Sequence, residues 1–238
     1  MSAPWYAAQG NHDYSGWLAN GTLAFGAVDP RWATRATNYT LAVPEADLTF
    51  IFIDSPRACP SYMTAPYGDC TELCAVQLAE VGCTAANALP CFLEHVAWLN
   101  STLAATTTTW KIVVGHHPIS DEHMKYAAPA LAAHGVQAYL AGHVHNLQHE
   151  TGADGVEYFI SGAGGFTHAL DAPAGVAVGA SHAPRRAACA AGSACAPSVN
   201  NFFANGPGFL AVSVDGAAAA FAFVHANGTV LYNYTVHA

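Results

Sequence analysis

The feature that most constrains the fold of this chain is a pattern that recurs along it. A short apolar run ends at a small residue or an aspartate, and a cluster of polar residues follows. Because the runs are mostly continuous rather than alternating, they are typical of strands covered on both faces. Five runs follow the pattern: Pro4–Ala8, Leu48–Ile53, Lys111–Val114, Val136–Leu140 and Val156–Ile160.

Helical segments are predicted between some of these runs. Leu93–Leu99 is amphipathic, and His123–His134 is a second candidate in which Pro129 either interrupts the helix or marks its first turn. Alternating strands and helices indicate an α/β domain. In such sheets the loops at the carboxyl ends of the strands carry the functional site, and here those loops hold histidine, asparagine and glycine.

The C-terminal part of the chain has a different pattern. Three predicted strands, Phe209–Val214, Ala218–His225 and Thr229–Val236, are separated by Asp-Gly and Asn-Gly pairs, which favours an antiparallel meander. We predict a single domain over residues 1–238. Within it we expect a cysteine-rich insert at residues 58–92 and a long surface loop at residues 169–205.

The composition excludes several classes of protein. The chain has 238 residues, of which 53% are hydrophobic and only 10% are charged, so it is not a disordered chain. Its net charge is −9 with seven scattered Lys and Arg residues, so it cannot build the basic face that a nucleic-acid partner requires. The apolar runs are too short to span a bilayer, so we expect no membrane partner. Thirteen histidines are the compositional anomaly.

The seven cysteines favour an oxidising compartment. Five of them lie between Cys59 and Cys91, where a disulfide-stapled loop is favoured over a zinc knuckle because no histidine lies there and the spacings are irregular. An odd number leaves one cysteine without a partner in the chain. Residues 1–6 lack the features of a signal peptide, which favours a truncated start. Five N-x-[S/T] sequons also favour a secreted glycoprotein: Asn20, Asn38, Asn100, Asn227 and Asn233.

Three of the polar clusters carry side chains suited to metal chemistry. They are Gly10-Asn11-His12-Asp13, Gly115-His116-His117-Pro118 and Gly142-His143-Val144-His145. Each alone is a weak signal, since the first is compatible with a turn and the others with surface histidines. Two histidines at i and i+2 point to the same side if the backbone stays extended. Taken together, three strand-end loops with nitrogen and amide-oxygen donors predict one metal site.

These motifs, with Ile160-Ser161-Gly162-Ala163-Gly164-Gly165, resemble the calcineurin-like metallophosphoesterase superfamily. Within it the chain is most similar to the small, tartrate-resistant type of purple acid phosphatase. The resemblance implies an α/β fold of the αββα sandwich type, here without its N-terminal strands and with a C-terminal antiparallel meander. We expect the glycine-rich segment to be a close backbone approach beside the metals.

The resemblance also implies site residues and a reaction. Asn11, His116 and His143 would ligate a divalent metal, and His145 would ligate the neighbouring ferric ion of a binuclear centre, Fe(III) plus Fe(II), Zn or Mn. His12 would contact the phosphate and protonate the leaving group, and His123 is the nearest match to a further substrate-facing histidine. A metal-bound hydroxide would then hydrolyse a phosphate monoester. His117 matches no ligand position.

The resemblance further implies two upstream motifs, with two aspartates and a tyrosine, that have no counterpart before Asn11. We therefore expect the chain as given to be incomplete, weak or inactive as an enzyme, and not purple. Two alternatives stay open: a secreted, non-catalytic metal- or partner-binding glycoprotein, and a phosphodiesterase of the same superfamily. The expected location is secreted, lysosomal or vacuolar. The natural substrate and the oligomeric state are not determined by the sequence.

Overall fold

A seven-stranded sheet forms the centre of the computed structural model, which describes residues 3–13, 18–34, 36–58, 88–165 and 198–238. Four of the predicted apolar runs supply its parallel strands β2, β3, β4 and β6. The strands of the sheet are β1 (Tyr39–Val43), β2 (Leu48–Phe52), β3 (Trp110–Val114), β4 (Ala138–Ala141), β5 (Leu147–Gly152), β6 (Glu157–Ser161) and β7 (Ser198–Ala204).

The order of the strands in this sheet is β1-β2-β3-β4-β6-β5-β7. The neighbours β2, β3, β4 and β6 are parallel, whereas β1, β5 and β7 each pair antiparallel. Because parallel strands end at the same edge, the loops after β2, β3, β4 and β6 meet there. The mixed α/β class and the mostly parallel sheet confirm the predicted fold class.

Two of the three α-helices in the described ranges pack against one face of the sheet. The α-helices are α1 (Leu18–Ala24), α2 (Ala88–Ala105) and α3 (Ala128–Ala133), and 3₁₀ turns lie at Phe25–Ala27, Pro44–Ala46, Ser55–Ala58 and Glu122–Tyr126. No helix in the described ranges combines the length and the apolar character needed to cross a bilayer.

The predicted C-terminal meander is confirmed. Strands β8 (Gly208–Asp215), β9 (Ala218–His225) and β10 (Val230–His237) form a separate antiparallel sheet in the order β10-β9-β8. Gly216 and Gly228, in the two connections, have φ values of 55° and 88°, which glycine adopts without strain.

Two apolar cores lie on opposite faces of the large sheet. Successive residues of a strand point to opposite faces, so Val113 packs towards the helices while Ile112 packs towards the small sheet. On the small-sheet side Phe159 stacks on Phe221 with ring centroids 4.4 Å apart. The helix-side core includes Ile51, Phe92, Leu99, Leu103, Met124, Leu131 and Tyr139. The layers are therefore helices, large sheet and small sheet.

A buried polar network joins the β5–β6 hairpin to β10. Glu157 accepts hydrogen bonds from the hydroxyls of Thr151, at 2.7 Å, and Tyr234, at 2.9 Å, and lies 2.8 Å from Nε2 of His149. The other ring nitrogen of His149 lies 2.9 Å from the Tyr232 hydroxyl. Burial alone raises the pKa of Glu157, but these hydrogen bonds outweigh it and hold that pKa below its ordinary value. The carboxylate therefore links the two sheets as an ion.

Three predictions of secondary structure need correction. Pro4–Ala8 is not a strand: Trp5 forms an isolated bridge to Trp32, because only this short stretch finds backbone partners. The predicted helix at His123–His134 is divided into a 3₁₀ turn and α3, and Pro129 lies in the first turn of α3. The predicted loop at residues 169–205 ends earlier, since β7 pairs with β5 from residue 198 onward.

Parts of the chain lie outside the described residues. They include residues 59–87, which hold most of the cysteine-rich insert, and residues 166–197, which hold most of the predicted loop. Cys91 falls within the described residues, at the start of α2, and it is disulfide-bonded.

Candidate metal centre

Side chains from three strand ends meet at the carboxyl edge of the large sheet. Ser55 follows β2, His116 and His117 follow β3, and His143 follows β4. The ring centroids of His116 and His143 are 5.0 Å apart, and those of His117 and His143 are 4.5 Å apart. The parallel register of the strands therefore produces the convergence that the sequence predicts.

Asn11 reaches this edge from the N-terminal segment. The segment is held to the β1 side by hydrogen bonds from Ala7 N to Thr34 Oγ1, at 2.7 Å, and from Tyr39 Oη to Ala7 O, at 3.1 Å. A Cβ at Gly10 would lie 3.1 Å from the His116 ring, so glycine allows the turn before Asn11 to approach the histidine closely.

Three donor atoms converge at this point. Asn11 Oδ1 lies 2.7 Å from His116 Nε2, and His143 Nδ1 lies 3.2 Å from the same nitrogen. Two atoms that bind the same first-row metal at about 2 Å lie about 3 Å from each other, so the distances found here are comparable. One neutral oxygen and two imidazole nitrogens form a donor set that fits a divalent cation.

His143 occupies a turn rather than an extended segment. Its φ is 62°, and Val144 N donates to Gly142 O at 2.7 Å, which closes a γ-turn around the histidine. The expectation that His143 and His145 share one side through an extended backbone is therefore wrong in its premise. Because a positive φ is unfavourable for a residue with a Cβ, the loop holds this histidine under strain.

The glycine-rich segment after β6 approaches the same turn. A Cβ at Gly162 would lie 1.9 Å from the carbonyl oxygen of Val144, and Gly162 N donates to Asn146 O at 3.0 Å. The backbone contact behind His143 therefore requires glycine at this position. This is the close backbone approach that the sequence predicts.

Ser55 organises the histidine loop after β3. Its Oγ accepts hydrogen bonds from the backbone N–H groups of His116, at 3.1 Å, and His117, at 3.0 Å, and lies 3.0 Å from Nδ1 of the His117 ring. Tyr139 Oη donates to His117 O at 2.6 Å from the other side. Ser55 was not identified from the sequence, because a single serine after a strand has no distinguishing pattern.

A second group of donors lies beside the first. The nearest ligand atoms of His117, Asp121 and His123 all lie within 4.8 Å of one another, as do those of His116, His117 and His143. These are the two groups of three or more such residues within the described ranges. The sequence identified neither His117 nor Asp121 as a ligand. The sequence pattern that could have identified them is the short His-x₃-Asp-x-His spacing in the loop after β3.

Burial keeps the histidines of the centre neutral. It lowers the pKa of His116 to about 4, with smaller contributions from His143, His12 and His145. Burial likewise lowers the pKa of His143 and of His117, and it lowers that of His123 to about 4. Neutral imidazoles offer lone pairs to a metal at the pH of most compartments.

The remaining predicted residues lie around this centre. His12 is exposed, and both His12 and His145 are close enough to influence the pKa values of His116 and His143. His145 is half-buried and belongs to neither of the two donor groups found among the described residues. His123 is only 9% exposed and its ring packs against His117, with centroids 4.8 Å apart.

Known proteins match this chain over more than half of its length. Residues 1–147 match the family described as calcineurin-like phosphoesterase. Tartrate-resistant acid phosphatase type 5 of Rattus norvegicus is 33% identical over 175 residues, which are 68% of this chain and 49% of that protein. The Homo sapiens protein of the same name is 30% identical over 175 residues, 68% of this chain and 50% of that protein. Purple acid phosphatase 3 of Arabidopsis thaliana is 27% identical over 175 residues, 69% and 44% of the two chains.

Two solved structures share the fold. GAP50, described as the anchor in the inner membrane complex of Plasmodium, matches with a TM-score of 0.63 at 21% identity, over 100% of this chain and 67% of its own. The purple acid phosphatase PPD1 from yellow lupin seeds matches with a TM-score of 0.53 at 13% identity, over 99% of this chain and 39% of its own. The chain spans about half the length of the curated relatives it matches.

Proposed function

Because this chain belongs to the calcineurin-like phosphoesterase family, we propose that it functions as an acid phosphatase, a metal-dependent hydrolase of phosphate monoesters. The observation that carries the proposal is the convergence of Asn11, His116 and His143 from three separate loops. Curated relatives at about 30% identity bear the name of acid phosphatases, which supports the same reaction.

The proposed ligands divide between two metals. Asn11, His116 and His143 would hold the divalent ion, and His145 would contribute to a neighbouring iron site. When bound, the metals supply Lewis acidity towards the phosphate oxygens and lower the pKa of a bound water. His116 and His143 are half-buried and neutral, which suits them to this role, since neither must lose a proton on binding.

His12 is the proposed proton donor to the leaving oxygen. It follows Asn11 directly, so its side chain lies beside the metal ligands, and it is exposed to an incoming substrate. Proton transfer to the leaving group typically contributes about 100- to 10,000-fold to a rate. The buried ring of His123 is less accessible to substrate, so we assign the proton transfer to His12.

The proposal is tested by loading the chain with iron and zinc and assaying p-nitrophenyl phosphate at acid pH. We expect slow turnover that depends on metal and falls at least about 100-fold in His143→Asn and in His12→Asn. Only His143→Asn should also reduce the bound metal, as measured by elemental analysis. His237→Asn, at an exposed position at the end of β10, is the matched control.

Other outcomes distinguish the alternatives. Faster hydrolysis of bis(p-nitrophenyl) phosphate than of the monoester would show that the protein is a phosphodiesterase and not a phosphatase. Metal binding without any turnover would favour the non-catalytic binding protein. If neither metal nor activity depends on His143, the proposed centre is wrong.

A secretory route with N-glycans and disulfides belongs to the same proposal. Asn100, Asn227 and Asn233 are exposed within their sequons, which makes them accessible to glycosylation. Expression in a eukaryotic secretory host, followed by peptide N-glycosidase F and mass spectrometry, tests it. A mass that the enzyme leaves unchanged would contradict glycosylation.

A further inference from the structure

A histidine on the buried face of α2 makes a contact that the proposed phosphatase reaction does not involve. His95 is only 4% exposed and shares one face of the helix with Phe92 and Leu99, which belong to the apolar core. A polar ring in such a stripe is costly unless it has a hydrogen-bond partner. The partner of His95 therefore indicates why a histidine is present there.

That partner is the backbone of Asp54, the second residue after β2. Asp54 N donates to Nε2 of His95 at 3.0 Å, and both residues are buried. The pairing of β1 with β2 ends at Tyr39 and Phe52, so no residue of β1 pairs with Asp54. His95 thus supplies the acceptor that a neighbouring strand would otherwise offer to this buried N–H group.

The hydrogen bond fixes the state and the position of the His95 ring. Because Nε2 accepts from Asp54 N, it carries no proton, and the proton of the neutral ring is on Nδ1. The ring also stacks on Trp98, with centroids 5.6 Å apart and planes inclined by 11°. His95 is therefore a well-oriented acceptor at the end of β2.

The residue that follows Asp54 holds the histidine loop after β3. Ser55 Oγ accepts from the backbone N–H groups of His116 and His117, and because both of its lone pairs are then used, it donates its own proton to Nδ1 of His117. The ring of His123 hydrogen-bonds to the backbone of Ser55. One serine therefore contacts three histidines, of which His116 is a proposed metal ligand.

The start of α2 also contacts this loop directly. The ring of Phe92 packs edge-on against His123, with centroids 6.0 Å apart, and against Tyr126, with centroids 6.4 Å apart. Cys91, immediately before Phe92, is disulfide-bonded, which restrains the beginning of the helix covalently. The first turns of α2 therefore hold the end of β2 and the loop after β3 in one arrangement.

We propose that His95 is a positioning residue for the metal centre, which acts on His116 through the Asp54 backbone and Ser55. By fixing the end of β2, His95 sets the position of the Ser55 hydroxyl. The hydroxyl in turn holds the backbone from which the His116 ring reaches the other two donors. This inference rests on the proposed metal centre and names a residue that supports it from outside.

Two substitutions that differ by one methylene group test the contact. In His95→Gln the amide oxygen can take the place of Nε2, whereas in His95→Asn it is too short to reach the Asp54 backbone. We expect His95→Asn to weaken the Zn²⁺ equivalent that His143→Asn removes by about 10- to 100-fold, as for other outer contacts of metal ligands, and His95→Gln to restore most of that affinity. Competition with a chromophoric chelator measures the affinity, and Glu94→Gln, exposed on the same helix, is the matched control.

The geometry of the site separates positioning from a purely structural role. Co²⁺ bound in place of Zn²⁺ reports its ligand arrangement through its visible absorption bands. At full occupancy we expect the wild-type bands in His95→Gln and altered bands in both His95→Asn and Ser55→Ala. Bands that are the same in all of these variants would overturn the proposal.

A double variant tests the path through the serine. If His95 acts through Ser55, then His95→Asn combined with Ser55→Ala should lose no more zinc affinity than the weaker-binding of the two single variants. Additive losses would overturn this path. Circular dichroism checks that each variant is folded.

A measurement on the wild type does not depend on the folding of any variant. Nitrogen-15 NMR of the histidine rings should show His95 with its proton on Nδ1, and a proton on Nε2 would overturn the proposal. Equal zinc affinities in folded His95→Asn and wild type would overturn it too, while leaving the proposed centre intact. A wild-type chain without any Zn²⁺ equivalent that His143→Asn removes would instead contradict the proposed centre, and this inference with it.

Discussion

At the residue scale, His143 combines a strained backbone with a proposed metal contact. Its φ of 62° lies at the centre of a γ-turn of the rare and strained kind. Strain of this kind costs about 1–3 kcal/mol and is retained where a function requires it. The presence of histidine at this position is therefore better explained by the metal contact of its ring than by a contribution to folding.

His143→Asn should separate these two contributions. Without metal we expect the variant to be about as stable as the wild type, because the γ-turn strains histidine and asparagine alike and the ring serves metal binding rather than folding. With saturating Zn²⁺ the wild type should gain stability that the variant does not gain. Thermal unfolding of both proteins, with and without metal, measures the difference. A metal-free variant that melts well below the wild type would contradict the strain argument.

At the element scale, the loop after β6 shapes the loop after β4. Gly162 brings its backbone against the carbonyl of Val144, directly behind the γ-turn at His143. The two loops come from adjacent parallel strands, so a change in one displaces the other. The geometry of the metal ligands therefore depends on a residue that offers no ligand atom.

Gly162→Ala tests this dependence. The added Cβ would overlap the Val144 carbonyl, so we expect displacement of the turn, a loss of about 1–3 kcal/mol in stability and weaker metal binding at His143. Gly164→Ala is the matched control, because its Cβ would have no neighbour within 4 Å. Zinc affinity and chemical denaturation are the measurements. Equal zinc affinities in the two variants would show that the turn adjusts without moving its ligand.

The central strands were predictable from the sequence because their apolar runs are continuous. β5 was not predicted, since Gln148, His149, Glu150 and Thr151 are polar and their burial depends on partners in β6 and β10. The convergence of Asn11, His116 and His143 was predicted because each directly follows a glycine in a loop at the end of an apolar run. Ser55 and Asp121 could not be identified, since their roles depend on distances between loops that a linear pattern does not contain.

At the scale of the whole molecule, Glu157 links the stability of the fold to pH. Its pKa is held below the ordinary value of 4.5 by hydrogen bonds that cross between the two sheets. A group with a lowered pKa stabilises the folded state above its unfolded pKa. That contribution is lost as the pH falls from about 4.5 through the folded value.

Glu157→Gln should therefore destabilise the protein most at neutral pH, by about 2 kcal/mol, the value of hydrogen bonds to a charged group. The difference from the wild type should shrink as the pH falls below 4.5. Urea denaturation between pH 3 and pH 7 measures it, with Glu94→Gln, exposed on α2, as the control. A difference in stability that does not vary with pH would show that the glutamine destabilises the protein through packing and not through the lost charge.

Because the small sheet follows the large sheet along the chain, the packing of the two has a consequence for synthesis on the ribosome. The face of the large sheet that carries Ile112 and Phe159 is covered by Phe221 and Phe223, which are translated after it. Until the meander emerges, a nascent chain exposes this apolar face, the kind of surface that chaperones bind and that drives aggregation. A stop codon after residue 204 would leave all seven strands of the large sheet encoded and yet yield a protein prone to precipitate.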